Sequence, residues 1–339
     1  MTMKAAFYTG HRNFEIRDIP RQPPKAGEVE VRVAYNGICG TDMHAWHGAM
    51  DARIGHNRVL GHEMSGTVAS VGEGVDLPIG AAVAIRPLAP CGDCPACEGG
   101  LAHICHRLKF LGLDTDGALQ EYWSVPAYAV HRLPDGASLE HAALTEPVAV
   151  ACHDVRRGRV AVGEDVLVIG GGPIGILIAM VARHAGAKVI LSEVNPHRLS
   201  VAAELGFATL NPREVDPVAH VTAATGGKGA DVVFEVSGTQ AGTDLMTDVA
   251  ASRGRIVMVA IHTTRPQIDM FRFFWRELEL IGARVYEPED FDAAIDLIAR
   301  GVIDAKTMIT GIRPLEEVAT AFAELDGDAR AMKTLVSLA

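Results

Sequence analysis

The sequence lacks any surplus of positive charge: 31 Lys and Arg stand against 42 Asp and Glu, a formal net charge of −11. A nucleic-acid surface needs clustered Lys and Arg to neutralise phosphates, and here the acids are spread along the chain, which argues against nucleic acid as a partner. It also lacks an apolar run of bilayer length. The longest, VLVIGGGPIGILIAMVA (166–182), is slightly short and carries four glycines and a proline. The N-terminal stretch MTMKAAFYTGHRNFEI has no signal-peptide core. These absences predict a soluble, cytoplasmic protein without a membrane partner. No internal repeat or low-complexity tract is visible. Cysteine is scarce, with six in 339 residues.

Four of those six lie in CGDCPACEGGLAHIC: Cys91, Cys94, Cys97 and Cys105. Disulfides rarely persist in a reducing cytosol. The C-x2-C-x2-C-x7-C spacing, followed by His106, differs from the bacterial iron–sulfur run, which closes with a shorter gap and a proline. Four thiolates give a closed tetrahedral shell suited to zinc held for structure, with no open position for substrate. Four ordinary thiols are the bland alternative, disfavoured by the spacing and by a Gly- and Pro-rich backbone that can wrap an ion.

Apolar content of 48% is ample for a large core, and the length suggests two domains. The first ~140 residues read as β-rich. In GEVEVRVAY, Val29, Val31, Val33 and Tyr35 alternate with Glu30, Arg32 and Ala34, which predicts one buried face. GTVASVG, AAVAIRP and ALQEYWSVP are further strand-like pieces. From about residue 160 the pattern changes. VLVIG (166–170) and KVILSE (188–193) read as strands buried on both faces, each followed by a helical segment, and DVVFEVSG, GRIVMVA and LELIGARV continue the series. The fold class is α/β: a parallel, doubly wound sheet beside a β-rich domain. After Pro288, EDFDAAIDLIARG and PLEEVATAFAEL read as amphipathic helices.

GGGPIG (170–175) fits G-x-G-x-x-G through Gly170, Gly172 and Gly175, with a strand before it, a helix after it and Glu193 ending the next strand. Such a turn presents helix N–H groups to a pyrophosphate. A carboxylate at 193 can accept both ribose hydroxyls and repels a 2′-phosphate, so NAD is expected rather than NADP. Three more fragments carry chemistry. GICGTDMHAWHG holds Cys39, Thr41, Asp42 and His44; GHEMSG holds His62 and Glu63; LTEPVAVACHD holds Glu146. Each is weak alone. Together they supply one thiolate, one imidazole and one or two carboxylates, a three-ligand zinc site with an open fourth position.

On these motifs the chain resembles the zinc-dependent medium-chain alcohol dehydrogenases, nearest the polyol, butanediol and threonine dehydrogenase branch, over essentially its whole length. The resemblance implies a GroES-like (chaperonin-10-like) catalytic domain over 1–148 with a structural zinc lobe at about 90–106, a Rossmann NAD-binding domain over 149–286, and a return to the first domain over 287–339, with the active site in the cleft between domains. It implies that Cys39 and His62 bind a catalytic zinc with Glu63 as third ligand. Glu146 would then bond the zinc-bound water or the substrate, though which glutamate touches the metal stays open. Asp42 would orient His62, and Thr41 and His44 would relay a proton. Cofactor contacts would come from Gly170, Gly172, Pro173, Ile174, Gly175, Glu193 and Arg198. Two zinc ions per chain, NAD and a homotetramer are expected. Cys152 and His153 are read as packing on the helix that links the domains. The expected reaction moves a hydride from a secondary alcohol (a polyol, cyclitol or vicinal diol) to NAD, leaving a ketone. The alternatives are a threonine-type amino-alcohol dehydrogenase and a non-catalytic NAD-binding sensor. The sensor would be expected to have lost part of the Cys39, Thr41, His44, His62, Glu63 set.

Overall fold

Alternation over residues 28–37 builds a strand, and in the computed structural model, whose described residues are 1–338, that strand (Glu28–Gly37) lies within the largest sheet. Val29, Val31 and Val33 are fully buried against Met64, Val68, Val83, Ile85, Trp123 and Val125. The opposite face departs from the simple alternation. Glu30 is also buried, its two oxygens accepting from Arg21 Nε and Nη2 at 2.6 Å each and from Ser70 Oγ at 2.6 Å. Pairing of this completeness is what lets a carboxylate leave water.

The chain divides into two compact units. The first comprises Met1–Pro147 together with the chain from Glu287 onward; the second is Val148–Tyr286. In the first, the seven-stranded sheet runs Val130–Arg132, Ala82–Ile85, Glu63–Val71, Glu28–Gly37, Lys333–Ser337, Ile309–Pro314, with Tyr122–Pro126 also pairing Glu28–Gly37. Two of those strands come from the last part of the sequence. They are parallel to each other, and Lys333–Ser337 is antiparallel to Glu28–Gly37. A three-stranded sheet centred on Thr2–Gly10 closes a second core, with Tyr8, Phe14, Trp46 and Phe322 in ring contact or packed together.

The second unit is a six-stranded, all-parallel sheet in the order Ala208–Leu210, Lys188–Ser192, Asp165–Ile169, Ala230–Glu235, Ala250–Met258, Glu279–Gly282. Sequence order reverses between Asp165–Ile169 and Ala230–Glu235. In a doubly wound sheet the ligand crevice opens at the carboxyl ends of the strands flanking such a reversal. Val166, Leu167 and Val168 are buried, as a strand covered on both faces requires. Helix Pro173–His184 is buried continuously from Gly175 to Ala182. The short helix Met270–Arg276 differs: Phe271, Phe274 and Trp275 are 65%, 76% and 71% exposed beside the sheet's edge strand. Among the described residues no helix is long and apolar enough to cross a membrane.

Candidate active site

In the first unit, strand Glu28–Gly37 runs out into Ile38 and Cys39, and Cys39 caps helix Gly40–Trp46. Asp42, at the third helical position, accepts the Cys39 N–H at 3.0 Å and is itself buried. This reciprocal cap fixes Cys39 at the end of the strand. The neighbouring strand begins at Glu63, paired with Gly37 across the ladder. His62 precedes it, after a turn at Gly61 with φ +103°, where a Cβ would sit 2.8 Å from the Asn36 side chain. The result brings together Cys39, His62 and Glu63, with one donor atom of each lying within 4.8 Å of the others. His62 and Glu63 are buried and Cys39 is half-buried, so the cluster is reachable from one side. One thiol, one imidazole and one carboxylate are a fitting donor set for a zinc ion with an open position.

Asp42 Oδ1 lies 3.5 Å from His62 Nδ1, a charge contact longer than a good hydrogen bond. Burial works to lower the His62 pKa. The Asp42 carboxylate, and then Cys39, outweigh it and raise the pKa well above the ordinary imidazole range. A metal entering here therefore displaces a proton from His62. The Phe110 ring packs edge-on at 5.2 Å and shields the imidazole.

Around the helical turn Pro95–Glu98, the sulfurs of Cys91 and Cys105 are 3.3 Å apart, those of Cys94 and Cys97 3.5 Å, and those of Cys94 and Cys105 3.7 Å. A disulfide needs about 2.05 Å, whereas zinc–sulfur bonds of about 2.3 Å in a tetrahedron put sulfurs about 3.8 Å apart. Backbone N–H groups of Cys91 and Arg107 both donate to Cys105 Sγ at 3.3 Å. The Cys94 thiol is pulled down to about 6, first by the Cys97 N–H and then by that of His106. Thiolates already served by backbone donors fit a metal knot.

In the second unit, strand Asp165–Ile169 ends at Gly170, whose φ of +108° a side chain would strain. A Cβ on Gly175 would overlap the Gly170 carbonyl oxygen, which is why the helix can pack so close. At Gly172, by contrast, a Cβ would meet only Arg198 Nη1 at 3.9 Å, and no side chain caps helix Pro173–His184. Its N-terminus is free for an anion. Ile174 follows Pro173 in the first turn. Glu193 accepts from Gly171 N at 2.7 Å, Val194 N at 2.6 Å and Asn195 N at 2.8 Å, with Arg198 Nη1 at 3.9 Å. Three of a carboxylate's roughly four acceptor positions are thus taken by the backbone. This conformation leaves room for about one further donor, where the sequence suggested two ribose hydroxyls.

Residues 25–135 match the family model for the alcohol dehydrogenase GroES-like domain, and residues 173–300 match that for zinc-binding dehydrogenase. The 2-dehydro-3-deoxy-L-galactonate 5-dehydrogenase of Pseudoalteromonas atlantica is 53% identical over 335 residues, 98% of each chain. The chain belongs to the zinc-binding alcohol dehydrogenases. The L-galactonate-5-dehydrogenase of Escherichia coli is 36% identical over 309 residues, covering 90% of this chain and 89% of its own. A structure solved as a zinc-binding dehydrogenase of Sinorhizobium meliloti 1021, bound to NADP, superposes with a TM-score of 0.93 at 31% identity and covers 99% of each chain. The first unit of this dehydrogenase carries the GroES-like domain and the second is the Rossmann sheet. Zinc, a nicotinamide cofactor and a secondary alcohol are what such an enzyme works with.

The dehydrogenase places the remaining sequence candidates as follows. Thr41 is half-buried in the first turn of helix Gly40–Trp46, and His44 is exposed one turn later on the same face. Glu146 is buried in the first turn of helix Thr145–Arg157, outside the three-residue donor cluster. Cys152 and His153 are buried further along that helix. One residue was missed. Lys333, buried on strand Lys333–Ser337, sets Nζ 2.5 Å from each oxygen of Glu63 and 3.3 Å from the Ile38 carbonyl. Burial lowers its pKa, but Glu63 foremost, then Cys39, and Glu146 more weakly, raise it above the ordinary lysine value. No motif surrounds it. The only signal is one charged residue opening the otherwise apolar and small run KTLVSLA.

Proposed function

We propose that this enzyme oxidises a secondary hydroxyl of a polyhydroxylated carbon chain with NAD, and that its substrate is a polyhydroxy acid of the sugar-acid class. The observation that carries the reading is the convergence of Cys39, His62 and Glu63 donor atoms within 4.8 Å at a half-buried position. The 53% identity to a 2-dehydro-3-deoxy-L-galactonate 5-dehydrogenase favours an acid over a neutral polyol. Such acids still carry the neighbouring hydroxyls expected from the sequence.

In this reading Cys39, His62 and Glu63 hold the catalytic zinc, and Cys91, Cys94, Cys97 and Cys105 a structural one. When bound, zinc makes a substrate hydroxyl more acidic and the nicotinamide ring accepts hydride. Asp42 keeps His62 oriented, with Nδ1 toward the carboxylate. Thr41 Oγ1 accepts the substrate proton as its own hydroxyl proton moves on toward His44, which is exposed on the same helical face and releases it to solvent. Glu146 accepts a hydrogen bond from a hydroxyl next to the reacting one. Gly170, Gly172, Pro173, Ile174 and Gly175 seat the pyrophosphate, and Glu193, with Arg198 beside it, holds the adenosine ribose. The carboxylate at 193 supports NAD over NADP, although the Sinorhizobium relative was solved with NADP. A homo-oligomer completes the reading.

The test is a substrate screen followed by NADH absorbance, with aldonic and 2-keto-3-deoxy sugar acids, neutral polyols, vicinal diols and threonine. Highest kcat/KM on a sugar acid is expected. A preference for threonine, or for neutral polyols by more than tenfold, overturns the substrate class.

A further inference from the structure

A sugar acid carries its carboxylate several carbons from the reacting hydroxyl. A partner for that group therefore stands beyond the metal donors, in a wall of the site. The wall beside His62 is the segment 110–117. It rests on the Gly61 carbonyl, which accepts from the Ala118 N–H at 2.9 Å and which a Cβ on Gly112 or Gly117 would overlap. From this segment the Phe110 ring covers the His62 imidazole, and the Phe110 N–H donates to Asp114 Oδ2 at 2.7 Å. Asp114 in turn accepts from Arg53, Nε at 2.8 Å and Nη2 at 2.7 Å. Arg53 belongs to the helical turn Asp51–Ile54, which follows helix Gly40–Trp46. Tyr8 fixes that turn to the helix, its hydroxyl lying 2.7 Å from the Ala45 carbonyl and 3.0 Å from Asp51 Oδ1. The ion pair thus ties the segment that follows Cys39 to the one that lies on His62.

A guanidinium carries five N–H groups in a planar fork. Asp114 occupies one edge of the Arg53 fork, Nε with Nη2. The other edge, Nη1 with the second Nη2 hydrogen, finds no acceptor among the described residues, and the side chain is 46% exposed. Two parallel N–H groups match the two oxygens of a carboxylate. Because Asp114 already holds the fork, little freedom is lost when an anion docks. Arg58, the other guanidinium whose charge reaches Asp114, is divided between Asp116 Oδ1 at 3.4 Å and the Ile54 carbonyl at 3.5 Å. We propose that Arg53 is a specificity-determining residue: its outer N–H pair receives the substrate's carboxylate while Asp114 keeps it aimed, which selects acids over neutral polyols. The proposal rests on the sugar-acid reading of this site.

The experiment compares L-galactonate with galactitol, which has a hydroxymethyl group in place of the carboxylate. Both are tested as substrates with NAD or, where turnover is too slow, as inhibitors of the substrate preferred in the screen above. The preference is the ratio of kcat/KM, or of 1/Ki, for acid over polyol. The native enzyme should favour the acid. Arg53→Gln should lower the preference about tenfold or more, through KM or Ki for the acid rather than through kcat. Arg53→Lys keeps the charge without the fork and should fall between the two. Asp114→Asn breaks the same ion pair and loosens segment 110–117 but leaves the guanidinium, so it should weaken both ligands and keep the preference. Arg58→Gln removes an equal charge close by and should keep it too. Where Arg53→Gln does not fold, Arg53→Lys carries the test. A native preference in Arg53→Gln, or in Arg53→Lys when it stands in, overturns the proposal alone, as does an equal fall in Arg58→Gln. A native enzyme that does not favour L-galactonate over galactitol overturns the sugar-acid reading and the proposal with it.

Discussion

Glu193 shows how a single side chain can serve two masters. Its carboxylate ties Gly171, Val194 and Asn195 together before any cofactor arrives. Replacing it with Ala loosens the turn and, in the proposed reading, also removes the ribose acceptor. KM for NAD is expected to rise about tenfold or more, and the ratio of kcat/KM for NADP over NAD to increase, because repulsion of a 2′-phosphate is gone. Steady-state kinetics with both cofactors checks this, and equal use of both by the native enzyme contradicts it. The two site glutamates separate by metal content. Glu63→Gln is expected to lower catalytic zinc occupancy, whereas Glu146→Gln keeps zinc and loses roughly 10²-fold or more in turnover. Reversed metal contents reverse the roles. Cys39, His62 and Glu63 could be picked out because each sits in a short motif, and the pairing of Gly37 with Glu63 across neighbouring strands then brings them together. Lys333 could not, because its partner lies 270 positions away and only the strand register joins them.

At the level of elements, the cysteine lobe is a short loop whose own core is little more than its thiols, Ala96 and Leu108. So small a cluster cannot fix the backbone by apolar burial, which supports the proposed structural zinc. Cys97→Ser is expected to remove about one zinc per chain and to lower the melting temperature by several degrees, measured by elemental analysis and calorimetry; full metal content with unchanged melting contradicts it. The strands of the first unit were readable from their alternation, those of the second from their continuous apolar runs, and the helices between the parallel strands from the room left for them. Glu30 escaped the alternation because Arg21 and Ser70, from other parts of the chain, neutralise it. Helix Met270–Arg276 was also missed: at seven residues, rich in aromatics, its sequence has neither a strand nor a helix period to follow.

That helix matters to the whole molecule. Phe271 and Trp275 stack at 5.9 Å on the surface, Phe274 is exposed beside them, and the edge strand Glu279–Gly282 offers an unpaired ladder with Leu280 exposed. Aromatic side chains bring about 150–250 Å² each, and a patch of that size marks an interaction surface. Pairing of this strand with its own copy about Ile281 and Gly282 would set Glu279 opposite Arg284, an arrangement that a two-fold axis satisfies twice. A second copy is the expected occupant. Light scattering after size exclusion should give an oligomer for the native enzyme and a smaller species when Phe274 and Trp275 are both changed to Ser. An unchanged mass in that variant, or a native monomer, contradicts it.

The first unit is split in sequence by the second, and this gives its assembly a timetable. Lys333 leaves the ribosome 270 residues after Glu63. At about 5–20 residues per second, the delay is on the order of tens of seconds. Throughout it, the nascent sheet lacks the strand that lies between Glu28–Gly37 and Ile309–Pro314. Glu63 waits without its ammonium partner while the Rossmann unit is translated. In the proposed reading of Cys39, His62 and Glu63 as the metal site, an ion captured during that interval would meet a more negative pocket than the finished enzyme offers, and the strand that completes the sheet would reset the grip of the site on it.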